Sequence, residues 1–258
     1  MSAAPLTATT ALRTRGLSKR FDGVVALDSF DLEVARGEIV ALIGPNGAGK
    51  TTLFNVLTGF LRADAGGFEL GGRRFTRTVP HQLLRHGVAR TFQDLRLIGG
   101  LSALDNVLLA CPHQRGESLW RLAAAPRAIA AQEREGRELA HQLLGRVGLE
   151  AKAGDLARQL SYGQQKLLTM ACALATGAGL LLLDEPVAGV HPRIIERILA
   201  LVRELAAEGR TAVLIEHNVE AVRRVAGRLV FMDQGRKVAE GAPEQVLSDE
   251  RVLEAYLK

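Results

Sequence analysis

Nine consecutive residues, Gly44-Pro45-Asn46-Gly47-Ala48-Gly49-Lys50-Thr51-Thr52, constrain this chain more than any other stretch. They follow a short apolar strand, residues 38–43, and open a helix expected over Lys50 to Leu57. A strand, a glycine loop and a helix in that order make a phosphate cradle. The glycines let the backbone curl until several N–H groups point inward. Lys50 supplies a cation for the β- and γ-phosphates and Thr51 a hydroxyl for Mg²⁺, while the helix N-terminus adds partial positive charge. Glycine's usual frequency would produce such a pattern by accident in roughly one chain in a hundred of this size. The strand and helix around it lower that figure further. The stretch is read as a nucleotide phosphate site.

The rest of the composition bounds the setting. A chain of 258 residues can hold one large domain, or a core with an inserted lobe, around a sizeable apolar core. The cysteines, Cys111 and Cys172, stand far apart with no CxxC spacing. That pattern speaks for a reducing compartment and against disulfides or a zinc site, leaving both as small hydrophobes. Residues 1–10 show neither a basic n-region nor an apolar h-region, so no secretory signal is expected. Residues 167–183 lack charge but are broken by Thr169, Thr176, Gly177 and Gly179, unlike a membrane span, and a soluble protein is expected. The net charge of +5 fits either a solvated basic surface or a docking face, an anionic membrane surface included. Arg13, Arg15, Arg73, Arg74, Arg77, Arg223 and Arg224 are scattered and not interleaved with aromatics, so no nucleic-acid partner is expected.

Patterning along the chain predicts two strands, Ala11–Leu17 and Asp28–Val34, ahead of the phosphate loop. A short strand within residues 66–72, a short helix with Pro80 in its first turn, and a strand opening residues 88–93 follow. From Ser102 to about Arg158 helical periodicity takes over, carried by Leu104, Val107, Leu108, then Leu119 and Leu122, then Leu139, Leu143, Leu144 and Val147. Trp120 within it suits either packing or a partner-facing role. After Ser161 helices and strands alternate: Tyr162–Ala175, Leu180–Leu183, Pro192–Ala207, Thr211–Ile215, Val219–Val225 and Arg228–Met232, then a hairpin and a helical tail. Such βα units imply a mostly parallel sheet with helices on both faces and ligands at the strands' carboxyl ends. The expected organisation is one domain over 1–258: a core in 1–98, an all-helical lobe inserted at 99–160, and the core completed by 161–258.

A second constellation lies at Leu180-Leu181-Leu182-Leu183-Asp184-Glu185. An apolar strand ending there puts Asp184 near Mg²⁺ and Thr51, and lets Glu185 polarise a water for in-line attack on a γ-phosphate. Upstream, Ser161 in Leu160-Ser161-Tyr162-Gly163-Gln164-Gln165 is a plausible helix N-cap. The phosphate loop, LSYGQQ, LLLLDEP and His217 together resemble, over the whole chain and in order, the ATPase subunit of an ATP-binding cassette (ABC) transporter. That resemblance implies an α/β P-loop core of ABC type, with a mostly parallel sheet, an N-terminal antiparallel β region and the helical lobe.

The resemblance also distributes roles. ATP and Mg²⁺ are the implied cofactors. Phe21 matches the aromatic that stacks on adenine, with Gly44, Pro45, Asn46, Gly47, Ala48, Gly49, Lys50, Thr51 and Thr52 around the phosphates. Thr51, Gln93 and Asp184 match the groups around the metal. Glu185, His217 and Gln93 match the catalytic set, His217 as the switch histidine. Ser161, Tyr162, Gly163 and Gln164 match the signature that closes on ATP held by the other protomer of a head-to-tail dimer, of the chain with itself or with a paralogue. Departures are His191, where Asp or Asn is usual, Tyr162 for a common glycine, and Asn218 where Asp is usual. Residues 52–60, Arg90-Thr91-Phe92-Gln93, LSYGQQ, DEPVAG at 184–189, Ile215-Glu216-His217-Asn218 and the ending Glu254-Ala255-Tyr256-Leu257-Lys258 resemble the branched-chain amino-acid importers. That implies integral permease partners, a periplasmic or extracellular binding protein, and a place on the cytoplasmic face of the inner membrane. Other cargoes (urea, amides, aromatic acids, a lipid conjugate for export) keep the same chemistry. A soluble ABC switch in DNA repair or translation would call for a long coiled coil or a second cassette, which this chain lacks.

Overall fold

The structure, a computed structural model, describes residues 10–112 and 126–256. The chain begins with strands β1 (Thr10–Phe21), β2 (Val24–Ala35) and β3 (Ile39–Ile43), helix α1 (Lys50–Leu57), and strands β4 (Ala65–Leu70) and β5 (Arg73–Phe75). A 3₁₀ turn, Pro80–His86, leads to β6 (Val88–Arg90). Helices α2 (Ala103–Ala110), α3 (Pro126–Val147) and α4 (Tyr162–Ala175) follow. The remainder alternates as β7 (Leu180–Asp184), α5 (Pro192–Ala207), β8 (Thr211–Ile215), α6 (Val219–Val225) and β9 (Arg228–Asp233). It closes with β10 (Arg236–Gly241), α7 (Pro243–Leu247) and α8 (Glu250–Tyr256). Trp120, Leu119 and Leu122 lie outside the described residues.

Two compact units share the chain. The first takes Met1–Arg90, Gly179–Ala188 and Val202–Lys258; the second takes Thr91–Ala178 and Gly189–Leu201. The expected lobe at 99–160 falls inside the second unit, which also claims α4 and the start of α5.

The first unit contains a four-stranded sheet, β2-β1-β4-β5, and a six-stranded sheet, β10-β9-β3-β8-β7-β6. The four-stranded sheet is antiparallel throughout. In the larger one every pairing is parallel except the β9–β10 hairpin. β1 and β2 run well beyond the two strands expected. Their ladder is interrupted by register shifts, and Gly16 (φ 55°) and Ser29 (φ 49°) sit in the left-handed region. Such bulges break the inside–outside alternation on which a strand is recognised. The two-residue turn between the strands, Asp22 (φ 43°) and Gly23 (φ 91°), has the positive φ values of the hairpin turns that suit strand twist.

Helix α1 occupies the middle of this unit. Leu53, Phe54 and Leu57 are fully buried with Leu12 and Phe30 of the antiparallel sheet and with Leu42, Leu182, Val213 and Val230 of the parallel one. Each such side chain contributes on the order of 1.5–3 kcal/mol by leaving water. The phosphate-loop helix is therefore packed against both sheets.

In the second unit, α3 buries Ala140, Leu143, Leu144 and Val147, the spacing of one helical face. Leu139, assigned to that stripe by its apolarity, is 41% exposed. Ala140 takes the inward position instead, because helix phase and not residue size decides the face. The loop ahead of α2 is bound to Asn106, whose Oδ1 accepts from Ile98 N at 2.8 Å and whose Nδ2 donates to Ser102 O at 2.9 Å. Cys172 on α4 donates to Asn106 O at 3.4 Å, and burial pushes its thiol up to about 12. Because the folded value is raised, stability is full below the ordinary thiol pKa and falls as pH rises toward 12. At pH 8 the native thiol holds about a thousandfold less thiolate than an unfolded one. Mass mapping after Ellman's reagent should find Cys172 unmodified in the native chain and modified in urea; equal labelling in both would overturn its burial.

Candidate active site

The parallel sheet gathers the site at one edge. β3 runs into the glycine loop, β7 ends at Asp184 and β8 ends at Ile215, and the register pairs Asp184 with Ile215. The residues that follow these strands thus emerge side by side, at the carboxyl ends where α/β sheets bind ligands.

The loop fits a phosphate because of what its glycines approach. A Cβ on Gly44 (φ 147°) would lie 2.0 Å from Met232 O, and one on Gly49 (φ 102°) would lie 2.2 Å from Ala26 O. The loop backbone is clamped between β9 and the β1–β2 hairpin, the hairpin that also carries Phe21. Gly235 N donates to Ala48 O at 3.0 Å from the other hairpin. Gly49 stands at the N-cap of α1 and has no side chain to cap it, which leaves the first-turn amides for a ligand. Lys50 is 6% exposed, and its Nζ donates to Gly44 O at 2.7 Å and Pro45 O at 2.9 Å. Burial pulls its pKa below the ordinary lysine value, opposed by the charges of Glu185 and Asp184. The ammonium is thus held in place by the carbonyls of the loop itself.

Asp184 is 3% exposed and Thr51 exposed. A carboxylate and a hydroxyl are hard oxygen donors that suit Mg²⁺. Among the described residues no group of three or more His, Cys, Asp or Glu could hold a metal by itself. The donor chemistry of Asp184 and Thr51 fits the group.

Glu185 adopts φ 47°, an unusual value for a non-glycine residue, and its N–H donates to Ile215 O at 2.9 Å. The bent backbone turns its carboxylate toward β8, where Glu185 Oε1 lies 3.0 Å from His217 Nε2. Beneath this pair sits Glu216, which sequence reasoning passed over. It is 3% exposed; its Oε1 accepts from Val187 N at 2.9 Å and its Oε2 from His217 N at 3.3 Å. Burial raises its pKa, and these backbone donors act against the rise. It ties the segment after Glu185 to the end of β8. Arg90 was likewise missed as an individual residue. Its Nη2 donates to Asp184 Oδ2 at 2.9 Å, and both side chains are 4% exposed.

The structure thus brings together Lys50, Asp184, Glu185 and His217. Phe21 ends β1, 40% exposed, with Lys19 Nζ 5.2 Å from its ring centroid. Gln93 and residues 161–164 belong to the second unit. Ser161 caps α4: its Oγ accepts from Gln164 N at 3.3 Å while Gln164 Oε1 accepts from Ser161 N at 2.9 Å. Gly163 faces Ile194, where a Cβ would lie 3.0 Å from Cγ1, and the Tyr162 ring lies against Gly189. His191 keeps an acceptor at its position, Nδ1 taking Arg193 N at 3.3 Å. Asn218 caps α6 by accepting from Ala221 N at 3.0 Å, and Asn caps about as well as Asp.

Residues 27–188 match the ABC transporter family, and residues 236–257 match a branched-chain amino acid ATP-binding cassette transporter family. The chain is 39% identical, over 95% of its length and 97% of the relative's, to the high-affinity branched-chain amino acid transport ATP-binding protein BraF of Pseudomonas aeruginosa. A crystal structure of a nucleotide-free ATP-binding cassette from an ABC transporter superposes with TM-score 0.84 at 35% identity, covering 96% of this chain and 99% of that one. The ADP conformation of MJ1267, also an ATP-binding cassette of an ABC transporter, gives 0.83 at 36% identity, covering 96% and 98%.

Proposed function

The chain belongs to the ABC transporter family, and on that premise we propose that it is the ATP-hydrolysing subunit of an importer of branched-chain or related amino acids. The observation that carries the chemistry is the 3.0 Å His217–Glu185 pair, in a site that also holds a buried lysine on the carbonyls of its own glycine loop. The cargo assignment is supported by the relatedness to BraF and by the matching C-terminal segment.

In this reading Lys50 and the loop amides bind and orient the β- and γ-phosphates, and the Phe21 ring faces the base. Glu185 accepts a proton from the attacking water, the water oxygen bonds to the γ-phosphorus, and the bond to the ADP oxygen breaks. His217 holds the Glu185 carboxylate and contacts the γ-phosphate. Thr51, Asp184 and Gln93 would hold Mg²⁺, which supplies positive charge against the phosphate oxygens. Ser161, Tyr162, Gly163 and Gln164 act in trans, completing the site of a second copy or of a paralogue in a head-to-tail dimer. The chain is one ATPase domain, a core in 1–98 and 161–258 with the lobe 99–160 inserted. It works at the cytoplasmic face of the membrane on permease subunits, fed by a binding protein. Among the described residues no helix is long and apolar enough to cross a membrane, which suits a peripheral subunit.

The test is capture of tagged Glu185→Gln protein with Mg-ATP from gently solubilised native membranes. Polytopic permease subunits should copurify, and the binding protein encoded beside them should retain leucine, isoleucine or valine. Recovery of ribosomes or DNA-repair factors would overturn the transport reading, and a binding protein that retains urea or an amide would overturn the cargo.

A further inference from the structure

The buried cation Arg90 ends β6, an edge strand paired to β7 with Arg90 opposite Leu182. Its guanidinium is divided between two elements. Nη2 donates to Asp184 Oδ2 at 2.9 Å, while Nη1 donates to Asn55 Oδ1 at 2.7 Å and to Thr58 Oγ1 at 3.0 Å. The planar head also stands over Phe54, with Cζ 5.5 Å from the ring centroid. Thr58 is fully buried and bound in turn to Phe54 O at 2.5 Å. A planar fork can serve a carboxylate and a helix at once; a lysine, with one compact charge, cannot hold the same geometry.

We propose that Arg90 is a positioning residue that sets the Asp184 carboxylate for the metal ion accompanying the nucleotide, by clamping Oδ2 to helix α1. The proposal rests on the ATPase reading above. Asn55 lies one helical turn after Thr51 and on the same face of α1. Through Arg90, the strand that carries one metal-side oxygen is therefore fastened to the helix that carries the other. Arg90 also places a positive charge 2.9 Å from a carboxylate that is only 3% exposed. A magnesium ion, strict about octahedral geometry, gains from two oxygen donors fixed relative to each other in advance.

The test measures the affinity of a fluorescent ATP analogue in excess Mg²⁺ and in EDTA, for the full chain and for Arg90→Lys. The wild-type preference for the Mg²⁺ complex should fall about tenfold or more in Arg90→Lys, the range seen when a group orienting a metal ligand is removed. Affinity in EDTA should stay within about twofold. Turnover should fall and KM for Mg-ATP should rise with the weakened Mg²⁺ complex, and Mn²⁺, which tolerates looser geometry, should restore part of both. Should Arg90→Lys fail to fold, Asn55→Leu decides: it removes one anchor of the clamp and should lower the Mg²⁺ preference about threefold. Parallel loss in Mg²⁺ and EDTA would mean that Arg90 only stabilises the fold, and would overturn the proposal. So would an unchanged Mg²⁺ preference, or a wild type that binds nucleotide equally with and without the metal. A wild type that binds no nucleotide would overturn the ATPase reading itself.

Discussion

Replacing Glu185 by Gln should lower ATP turnover roughly 10²- to 10⁴-fold, the usual contribution of a positioned general base, while leaving ATP binding within about threefold. The amide has the shape of the carboxylate and still accepts a hydrogen bond from His217, which stands 3.0 Å from Glu185 Oε1. Its carbonyl has almost no proton affinity, so the attacking water keeps its proton. The loop should hold its form, because its anchors are the Glu185 N–H to Ile215 O bond and the Glu216 bond to Val187 N. Steady-state phosphate release measures the loss, and light scattering with and without Mg-ATP measures assembly. An ATP-dependent shift to twice the mass is expected only while hydrolysis is blocked. Wild-type turnover in this variant would remove Glu185 from its assigned role.

Gly44→Ala should be among the most damaging single methyl additions to this chain. The new Cβ would meet Met232 O at 2.0 Å, and that atom belongs to the backbone of β9, paired on both sides, and cannot swing aside. Overpacking of this kind adds about 1–3 kcal/mol, and an alanine at φ 147° adds about 1–3 kcal/mol of backbone strain. A total near 3 kcal/mol should lower Tm by about 6–12 °C for a chain of this size. The same shift moves the carbonyl that holds Lys50 Nζ, so ATP affinity should fall at least about tenfold. Gly47→Ala is the control: it has φ 83° but nothing within 4 Å of its Cβ position. It should show the backbone contribution alone, about 1–2 kcal/mol. Equal Tm losses in the two variants would mean that the contact with β9 does not constrain the loop.

The features legible in the sequence were those with a strong local cause. Helices at Tyr162–Ala175, Pro192–Ala207 and Val219–Val225 and the strand Thr211–Ile215 have the bounds that apolar period and flanking turn residues predict. The phosphate loop was legible because its glycines, lysine and threonine have one job in that order. Other features depend on what the fold places opposite a residue. Arg90 sits in a motif in which only the glutamine was given a role, and nothing in Arg90-Thr91-Phe92-Gln93 says that Asp184 will be its partner. Glu216 stands between an apolar strand and a histidine, and nothing in that order says that it is buried with its carboxylate accepting from neighbouring backbone amides. The grouping of α4 with the second unit was hidden for a similar reason. Its sequence announces a helix, whereas its company is set by α2 and α3, through contacts such as Cys172 with Asn106.

The central place of β3 has a consequence for how the protein is made. Its two neighbours, β8 and β9, lie far downstream at Thr211–Ile215 and Arg228–Asp233. Arg228, at the start of β9, also joins Glu38 just ahead of β3 to Glu240 on β10. At an elongation rate of about 5–20 residues per second, the strand that feeds the phosphate loop leaves the ribosome roughly ten to thirty seconds before either neighbour exists. For that interval it is an apolar segment with both edges open, the kind of species that aggregates or engages chaperones. The early chain lacks part of the clamp on its binding loop, because Met232 O, against which Gly44 packs, arrives only with β9. A product of translation that stops before Arg228 therefore carries the complete GPNGAGKTT motif without the β9 backbone against which Gly44 packs.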